Sequence, residues 1–442
     1  MMPAVRAVET GKVLPDRSDV VIVGAGIAGM AAAWHLRKRG LTVTVLEKGR
    51  VGAEQSSRNW GWCRQQNRNP KELPLARLSL RLWGEMNADL GEETGFRRTG
   101  LLYASANASD VAQWEAWGRI ARDYGVETYM LNGRELSERL PGNQRRWLGG
   151  VWSPHDGRAE PELATSAMAR AVQRTGGVIV QDCAVRELDI AGGRIAGVVT
   201  ERGRISSEAV LVAGGAWSGM LLRHHGVKIL QASVKSTCFY TEPGPEVLDG
   251  AVSMETVALR RRLDGGYTVG VSGRAQLQAS PWGALQAAAF WDTFLIRRKK
   301  LSYGIGSQFF NGPESLHRWT GDHVSPFERV RILDPAPDQG LLRRGMADLT
   351  TAYPQLANLR MACAWGGMVD NTPDAIPVIS GVDHVPGLFI STGFSAHGFG
   401  IGPGAGVLAA ELVTGAPTSV DPTPFRYSRM IDGTKFAKPG ML

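Results

Sequence analysis

Three glycines and one glutamate near the start of the chain have the spacing of a dinucleotide-binding turn. Gly24, Gly26 and Gly29 directly follow a short apolar run. In such a turn the first glycine lets the chain reverse tightly, the second lets the backbone approach a pyrophosphate, and the third lets a helix lie close to the strand. Glu47 follows 18 residues after Gly29, where a carboxylate accepts from ribose hydroxyls and repels a 2′-phosphate. The pattern predicts dinucleotide binding and leaves FAD and NAD open.

Two strands and one helix must position these residues. Residues 19–23 form the apolar run, which is typical of a strand buried on both faces of a parallel sheet. Residues 41–46 predict its parallel neighbour. The intervening helix ends at Gly40 and begins at the glycines, so its N-terminus faces the phosphates. The sequence therefore predicts one strand–helix–strand nucleotide unit.

The polar segment after Glu47 is a second candidate region. It carries Trp60 and Trp62, which suit a solvent-exposed connection poorly, although a plain surface loop is the alternative interpretation. A loop in this place can return to the phosphates and lie beside the ring system of the cofactor. We therefore expect cofactor contacts from Lys48, Ser56, Ser57, Arg58, Asn59, Gly61 and Trp62.

The rest of the chain divides into three stretches. Residues 178–213 predict strands that return to the nucleotide unit, and 227–345 predict a second, mostly antiparallel domain that covers the cofactor. Near the C-terminus, a strand at 387–392, a glycine-rich loop at 393–403 and a helix at 405–413 follow one another. No partner strand follows this helix, so the sequence predicts one nucleotide unit and not two.

Composition excludes several function classes. A chain of 442 residues is too long for one ordinary core and predicts two associated domains. The net charge of +8 is not gathered in a polybasic tail, which disfavours nucleic-acid binding and favours an anionic substrate. The four cysteines are far apart, which predicts reduced thiols in a cytosolic protein and neither a disulfide framework nor a metal site. Residues 1–18 do not resemble a signal peptide, and no apolar stretch is long enough to span a membrane.

One segment of the second domain combines aromatic and basic residues. Phe290, Trp291 and Phe294 are followed closely by a basic run at 297–300. A helix with a solvated basic end is one interpretation. The other is a peripheral contact of residues 290–300 with an anionic membrane surface, made by a cytoplasmic protein on the inner face of the membrane.

Four motifs together resemble the FAD-dependent D-amino acid oxidase and dehydrogenase superfamily, which also holds glycine and sarcosine oxidases. The motifs are VVIVGAGIAG to VLE at 20–47, SSRNWGW at 56–62, AGGAW at 213–217, and WGGMVDNTPDAIPVI at 365–379 with GFSAHGFGIGPGAG at 393–406. The resemblance implies FAD and an α/β fold. A glutathione-reductase-like Rossmann domain would bind FAD, and a second, mostly antiparallel β domain would bind the substrate. We place the FAD domain at 19–100, 155–225 and 360–427, and the substrate domain at 101–154 and 226–359.

The resemblance also implies which further residues hold FAD. Val185 would lie near the adenine, and the loop at 397–401 would lie against the pyrimidine edge of the flavin. A helix that begins near Gly402 would point its positive end at this edge, where negative charge develops on reduction. Non-covalent binding is expected, because Gly367 stands where sarcosine-oxidase-like relatives carry a linking cysteine. The other expected cofactor contacts are Ile27, Ala28, Ala213, Gly214, Trp217, Gly393, His397, Gly398, Phe399, Gly400 and Ile401.

The family's chemistry is oxidation of a carbon next to an amine. The α-hydrogen leaves as a hydride to flavin N5, and the resulting imine hydrolyses to a keto acid. Such a reaction depends on orientation more than on acid and base groups, so we assign no catalytic acid or base. We expect a D-amino acid, or a secondary amino acid such as a proline derivative, as the substrate.

The substrate carboxylate needs a clamp, and arginine suits it because the guanidinium fork matches two oxygens. Arg64, Arg260 and Arg262 are the candidates. Asp370 stands near the place where glycine-oxidase-like relatives carry an arginine, and it could instead hold a cationic amine. For His397, a backbone hydrogen bond is as good an explanation as a contact with flavin or substrate. The remaining expected substrate contacts are Tyr267 and Trp365.

Two rival functions are kept open. An amine or N-methyl amine oxidase of the same fold is favoured if Asp370 meets the substrate. The other rival is a flavin-binding subunit of an electron-transfer complex, without turnover of its own. No lysine stands in a clear position to activate oxygen, which favours a dehydrogenase with a quinone acceptor over an oxidase that uses O2.

Overall fold

The computed structural model describes residues 2–437, which contain 12 α-helices and 21 β-strands. The helices are α1 (Ile27–Lys38), α2 (Leu73–Leu90), α3 (Ala108–Asp123), α4 (Gly133–Arg139), α5 (Pro161–Arg174), α6 (Ser218–His224), α7 (Pro281–Gln286), α8 (Trp291–Arg297), α9 (Gln308–Asn311), α10 (Pro326–Arg329), α11 (Gln339–Ala352) and α12 (Gly398–Thr414). The strands are β1 (Val20–Val23), β2 (Val43–Leu46), β3 (Trp62–Cys63), β4 (Leu101–Ser105), β5 (Tyr129–Asn132), β6 (Gly149–Ser153), β7 (Gly157–Arg158), β8 (Val178–Val180), β9 (Val185–Ala191), β10 (Arg194–Thr200), β11 (Gly203–Ser206), β12 (Ala209–Val212), β13 (Ala232–Thr241), β14 (Ala251–Met254), β15 (Val257–Arg261), β16 (Tyr267–Val271), β17 (Ala275–Gln278), β18 (Leu301–Gly304), β19 (Met361–Asn371), β20 (Val378–Gly381) and β21 (Leu388–Thr392).

The first sheet carries the nucleotide unit. Its strands lie in the order β20-β21-β12-β1-β2-β8, and all neighbours are parallel except β20 and β21. In β1, Val20 and Ile22 face one apolar core and Val21 faces the other. A strand buried on both faces needs an unbroken apolar run, which explains the valines. The expected α/β fold with a Rossmann-type domain is confirmed.

Helices α1 and α12 pack side by side on this sheet. A Cβ on Gly406 would lie 2.4 Å from the Cβ of Ala31, so the two helices touch through their backbones. A Cβ on Gly402 would lie 3.0 Å from a side-chain carbon of Ile27. Small residues on both helices therefore bring both helix N-termini to the same edge of the sheet.

Helix α12 begins at Gly398, earlier than the predicted start at 405. Glycines and Pro403 disfavour a helix here, and the prediction of a loop rested on them. Partners from α2 compensate, because Ser79 Oγ and Trp83 Nε1 donate to the carbonyl of Gly400 at 2.8 and 3.0 Å. The backbone N–H of Gly404 in turn donates to Ser79 Oγ at 3.2 Å. Tertiary hydrogen bonds therefore extend the helix over a segment whose local preference is irregular.

The second sheet is mostly antiparallel. Its strands follow the order β18-β17-β13-β16-β15-β14-β4-β6-β5, and β19 pairs with β13. The pairs β4–β14 and β17–β18 are parallel. One boundary differs from the expected division, which assigned 360–427 to the FAD domain. The strand β19 pairs with β13 from Met361 to Asn371, so it belongs to the second sheet.

The aromatic and basic segment forms short helices at the surface. Trp291 is 56% exposed, Ile296 50% and Phe310 65%. The basic residues at 298–300 follow α8 directly. Among residues 2–437, no helix is long and apolar enough to cross a membrane.

Candidate functional site

A cavity lies between the glycine turn at the N-terminus of α1 and the start of α12. Its empty volume, including the part open to solvent, is about 1240 Å³. Its position follows from the topology, because β1, β12 and β21 are neighbours and open parallel sheets bind ligands outside the carboxyl ends of their strands. The expected cofactor residues that line this cavity are Gly24, Gly26, Ile27, Ala28, Glu47, Lys48, Ser56, Asn59, Val185, Ala213, Gly214, Trp217, Gly398 and Phe399.

The glycine turn has the tight geometry that its spacing predicts. Gly24 has a positive φ of 104°, which residues with a side chain rarely adopt. A Cβ there would lie 2.6 Å from the carbonyl oxygen of Ala213. A Cβ on Gly29 would lie 2.1 Å from the carbonyl oxygen of Gly24. The turn therefore closes on both α1 and β12 and leaves no room for a side chain at either glycine.

Glu47 lies directly after β2, beside the turn. Its carboxylate accepts hydrogen bonds from the backbone N–H groups of Ala25 at 2.9 Å and Gly49 at 2.8 Å. Burial raises the pKa of this carboxyl group. A carboxylate has about four acceptor sites, so capacity for two ribose hydroxyls is left.

The loop after β2 returns to the turn, as its composition predicts. Ser56 Oγ accepts from the N–H of Ile27 at 2.9 Å, in the first turn of α1. Lys48 pairs with Glu54 at 2.7 Å and lies 4.5 Å from the ring centroid of Trp217. Trp217 Nε1 also donates to Glu54 at 3.2 Å. Glu54, which the sequence analysis did not single out, thus joins two walls of the cavity.

Part of this loop turns away from the cavity. Arg58 is buried, and its Nη1 lies 3.0 Å from both an Asp334 oxygen and the carbonyl of Gly366. Its side chain therefore ties the loop to β19, and Arg58 is not among the residues that line the cavity. The other expected residues of this loop that do not line the cavity are Ser57, Gly61 and Trp62.

Asp370, at the end of β19, lines the cavity. Its carboxylate accepts from the N–H of Gly393 at 2.9 Å and from Gln231 Nε2 at 3.0 Å. Burial raises its pKa to about 6. No local pattern in the sequence marks Gln231, because its partner lies 139 residues away. Gly393 contributes to this site through its backbone N–H group.

The turn before α12 forms another wall of the cavity, through Phe394, Ala396, Gly398 and Phe399. Ser395 and Ala396 both have positive φ, 51° and 68°, a strained conformation for residues with side chains. Gly400 and Ile401 were expected to contact the cofactor but do not line the cavity.

His397 points away from this wall. Its Nδ1 lies 3.1 Å from the carboxylate of Glu72, and both side chains are almost completely buried. Burial, followed by the charge of Arg68, lowers the pKa of His397 to about 4, so the imidazole is neutral at pH 7. His397 thus makes a buried hydrogen bond through Nδ1, to a side chain and not to a carbonyl, while its buried Nε2 has no hydrogen-bond partner within residues 2–437.

Three expected substrate residues have other partners. Arg262 pairs with Asp264 at 2.7 Å and lies 4.2 Å from the ring centroid of Tyr240. The Tyr267 hydroxyl donates to the carbonyl of Pro245 at 2.6 Å. Trp365 Nε1 donates to the carbonyl of Arg58 at 3.1 Å. None of the three lines the cavity, and each stabilises the second sheet or its junction with the loop.

The other two arginines differ in what they leave free. Arg64 donates to the carbonyl of Gln66, and its guanidinium lies 6.0 Å from the ring centroid of Tyr103. Arg260 is 1% exposed and donates to Glu160 at 2.8 Å and Thr268 at 2.9 Å. Its Nε has no partner within the described chain.

A buried group of charges surrounds Arg260, and the sequence analysis missed its other members. Arg158 Nη1 lies 4.0 Å from the same Glu160 oxygen that pairs with Arg260. Arg158 Nη1 and Glu160 Oε2, like Arg260 Nε, are buried without a hydrogen-bond partner in residues 2–437. Unpartnered buried polar atoms usually mark a ligand or water site. Glu160 comes directly before Pro161 at the start of α5, where an acidic residue is an ordinary helix-start signal, so its sequence position carries no sign of this role.

The cavity fits the cofactor that the sequence implies. One end has the tight glycine turn and a carboxylate for the ribose. The other has the N-terminus of α12, whose unpaired N–H groups favour negative charge. The space between them is lined by glycine, alanine and apolar residues together with polar side chains such as Lys48, Glu54 and Asp370. These walls can hold a dinucleotide with its phosphates at α1 and its ring system at α12.

Known proteins agree with this geometry. Residues 19–412 match the family model of FAD-dependent oxidoreductases. The chain is 25% identical to sarcosine oxidase subunit beta from Rhodobacter capsulatus, over 90% of this chain and 85% of the relative. It is 25% identical to glycine oxidase from Pseudomonas aeruginosa, over 92% of this chain and 97% of the relative.

A solved structure extends the agreement to the whole fold. The L-amino acid deaminase from Proteus myxofaciens, in complex with anthranilate, superposes with a TM-score of 0.92 at 32% identity and covers 97% of this chain and 98% of its own. The resemblance on which the sequence analysis relied is thereby confirmed, together with FAD as the cofactor of the family. Since the family model spans nearly all of the two sheets described above, the chain belongs to the FAD-dependent oxidoreductases that oxidise amino acids and related amines.

Proposed function

We propose that the protein is a dehydrogenase that oxidises the Cα–N bond of an α-amino acid to an imine, which hydrolyses to a keto acid. The observation that carries this proposal is the buried group Arg158, Glu160 and Arg260. It holds two cations and one buried anion, since the other partner of Arg158, Asp249, is 75% exposed. The orphaned donors of the arginines complement a carboxylate, and the orphaned oxygen of Glu160 complements an amine. An α-amino acid presents both groups on one carbon.

Each residue of this buried group, none of which is among the residues that line the cavity itself, has a separate task in this proposal. Arg260 Nε binds the substrate carboxylate, and Gly61 permits the approach because a Cβ there would lie 2.7 Å from this nitrogen. Arg158 adds a second donor. Glu160 orients Arg260 and accepts a hydrogen bond from the substrate amine.

Bound FAD supplies the hydride acceptor. The turn at 394–398 shields one end of the cavity, and the first N–H groups of α12 favour negative charge there. We expect FAD to be held without a covalent bond, because Gly367 occupies the position of the linking cysteine and all four cysteines of the chain lie off the cavity. Acid precipitation should then release the flavin into the supernatant.

We assign the L-enantiomer to the substrate, although the sequence resemblance pointed to a D-amino acid. The 32% identity with an L-amino acid deaminase supports this choice. The test is anaerobic mixing of the purified holoenzyme with L- and D-amino acids, N-methyl amino acids and plain amines, followed by loss of flavin absorbance. At least one L-amino acid should bleach the flavin faster than its D-enantiomer.

Three other outcomes would contradict the proposal. Bleaching by plain amines as fast as by amino acids would favour the amine oxidase. Faster bleaching by a D-amino acid would reverse the assigned handedness. A flavin that no compound bleaches would favour a subunit without turnover of its own.

We also propose that the exposed segment around α8 contacts an anionic membrane surface and that a quinone accepts the electrons. Trp291 and Ile296 are exposed and lie in the helix directly before the basic residues at 298–300, and this combination of apolar and basic residues suits anionic lipid. The protein should sediment with phosphatidylglycerol vesicles and not with phosphatidylcholine vesicles. Replacing Trp291 and Ile296 together by serine should weaken this binding about tenfold.

A matched control tests whether the effect belongs to this segment. Ile431 is 51% exposed elsewhere on the molecule, so Ile431→Ser should leave vesicle binding unchanged. Equal binding of all variants would contradict the membrane contact. Peroxide formation at the rate of substrate oxidation would contradict the quinone.

A further inference from the structure

Two helix N-termini meet behind the cavity through one pair of buried side chains. Glu72 is the N-cap residue of α2, and His397 is the N-cap residue of α12. His397 Nδ1 lies 3.1 to 3.2 Å from the two oxygens of Glu72. The Glu72 side chain is 0% exposed and that of His397 6%. The proposed reaction as described above does not use this pair.

The charges around the pair define its protonation. The fully buried guanidinium of Arg68, with Arg64 beside it, faces both members. Despite burial, the hydrogen bond from His397 and the charges of these arginines hold the pKa of Glu72 below its usual range, and the two helix N-termini favour the same anion. Since the imidazole is neutral, its Nδ1–H donates a hydrogen bond to the Glu72 carboxylate and its Nε2 carries the lone pair.

The turn that His397 ends is strained and needs to be held. Ser395 and Ala396 have positive φ, a conformation that persists only where the surroundings impose it. On the inner side, the N–H of Ser395 donates to the carbonyl of Asp370 at 2.8 Å. On the outer side, the hydrogen bond from His397 to Glu72 holds the same turn. Residues on both sides of His397, Ala396 and Gly398, line the cavity.

We propose that Glu72 is a positioning residue, which through His397 holds the turn at 394–398 and the N-terminus of α12 against the ring end of the cavity. This inference rests on the proposed function, because the turn affects catalysis only if the ring system lies beside it. Glu72 itself does not line the cavity, so its effect on the reaction passes through the imidazole and the turn.

The test compares three variants of the full chain. Glu72→Ala removes the acceptor, whereas Glu72→Gln keeps an acceptor for the neutral imidazole and removes only the charge. Glu411→Gln is the matched control, because Glu411 is a buried carboxylate at the other end of α12 that holds Ser419. If Glu72→Ala does not fold, Glu72→Asp replaces it, since it keeps the charge and withdraws the carboxylate by one methylene.

The first readout needs neither substrate nor cofactor. In the FAD-free protein, amide hydrogen exchange of residues 394–402 should become about tenfold faster in Glu72→Ala, or in Glu72→Asp to a smaller extent. Exchange should stay near the wild-type rate in Glu72→Gln and Glu411→Gln. Unchanged exchange in Glu72→Ala, or in Glu72→Asp where it is used, would overturn the proposal. Equal acceleration in Glu411→Gln would overturn it as well, and so would a Glu72→Gln variant as fast as Glu72→Ala.

The second readout concerns the holoenzyme. The equilibrium constant for two-electron reduction of bound FAD by a chemical reductant should fall about tenfold in Glu72→Ala, which equals a potential lower by about 30 mV. With the substrate found in the panel, kcat should fall about tenfold while KM changes less than threefold. An unchanged potential would overturn the proposal. Because exchange and potential need no substrate, a wild-type enzyme that no amino acid reduces would refute the proposed function and leave this inference to be decided by the two readouts.

Discussion

The two ends of the cavity are built in different ways. The glycine turn and Glu47 come from one continuous stretch, 20–47, and their contacts are made largely by backbone N–H groups. The opposite end is assembled from β19, β21, the start of α12 and a partner from 139 residues away. A backbone-built site depends on local spacing, whereas a site built from side chains depends on which distant strands become neighbours. The first kind therefore tolerates change around it, and the second is sensitive to each partner.

The largest expected effect comes from a substitution in the glycine turn. Gly26→Val should weaken FAD binding about a thousandfold or more, or by about 4 kcal/mol, because even a Cβ would lie 3.2 Å from Ser56 Oγ and valine adds two methyl groups beyond it. The measurement is titration of the apoprotein with FAD. Gly11→Val is the control, since nothing lies within 4 Å of a Cβ there. Full flavin content in Gly26→Val would refute the assignment of the glycine turn to FAD binding.

The second prediction removes the proposed carboxylate ligand Arg260 and leaves the glycine turn intact. Arg260→Met should lower kcat/KM for amino acids about a hundredfold, because loss of a buried charged partner costs about 2 to 5 kcal/mol. Flavin content should stay at the wild-type level. Arg64→Ala is the comparison and should change kcat/KM less than threefold, since the Arg64 guanidinium donates to the carbonyl of Gln66. The reverse order of effects would transfer the clamp to Arg64.

The third prediction concerns the pH dependence of folding in the FAD-free protein. Burial raises the pKa of Asp370 from 3.8 to about 6, so the folded chain binds this proton more tightly than the unfolded chain. The contribution to stability is fully present below about pH 4 and is lost as the pH rises through about 6. Asp370→Asn removes this loss and should raise the free energy of unfolding at pH 7.5, relative to pH 4, by up to roughly 3 kcal/mol.

Urea denaturation at both pH values measures this effect. Asp156 carries a similar raised pKa of about 6, so the whole protein has a pH slope from more than one group. The difference between wild type and Asp370→Asn isolates the contribution of Asp370. Parallel pH curves for the two proteins would show that the Asp370 carboxylate is satisfied in its charged form.

The smallest expected effect concerns Glu47, which lies beside the glycine turn. Glu47→Gln should weaken FAD binding about tenfold, because hydrogen bonds to a charged acceptor are worth about 1.5 to 3 kcal/mol and the neutral amide keeps part of that interaction. Titration with FAD measures it. Glu208→Gln is the control, since Glu208 is exposed and pairs with Arg17. A Glu47→Gln variant with wild-type affinity would place the ribose elsewhere.

The difference between the two ends also explains what the sequence could predict. The unit at 20–47 follows from local rules, because glycine spacing, apolar runs and an acidic residue at a fixed distance each act within one supersecondary unit. The start of α12 could not be predicted in the same way. Its glycines and Pro403 indicate a loop, and Ser79 and Trp83 on another helix override them.

The arginines considered as substrate ligands could not be distinguished from the sequence either. Arg262 and Arg260 stand two residues apart in the sequence, yet Asp264 occupies one and leaves the other with an unpartnered Nε. From the sequence, Arg260 and Arg262 are equal candidates for binding the substrate carboxylate. Which of them is available depends on ion-pair partners that only the folded chain brings together. For Glu72 and His397, 325 residues apart, no local pattern signals the contact.

The packing of α1 against α12 fixes the distance between the N-termini of the two helices. Each helix directs its N-terminus at one end of the cavity, and the two backbones touch where a Cβ on Gly406 would lie 2.4 Å from that of Ala31. One helix cannot slide along the other without a clash. The distance between the N-termini of α1 and α12, where the positive ends of the helix dipoles lie, is therefore constant. The helix pair thus selects a ligand whose two electron-rich parts are separated by the distance between the two helix N-termini. A larger residue at position 406 would change this distance without altering any wall of the cavity.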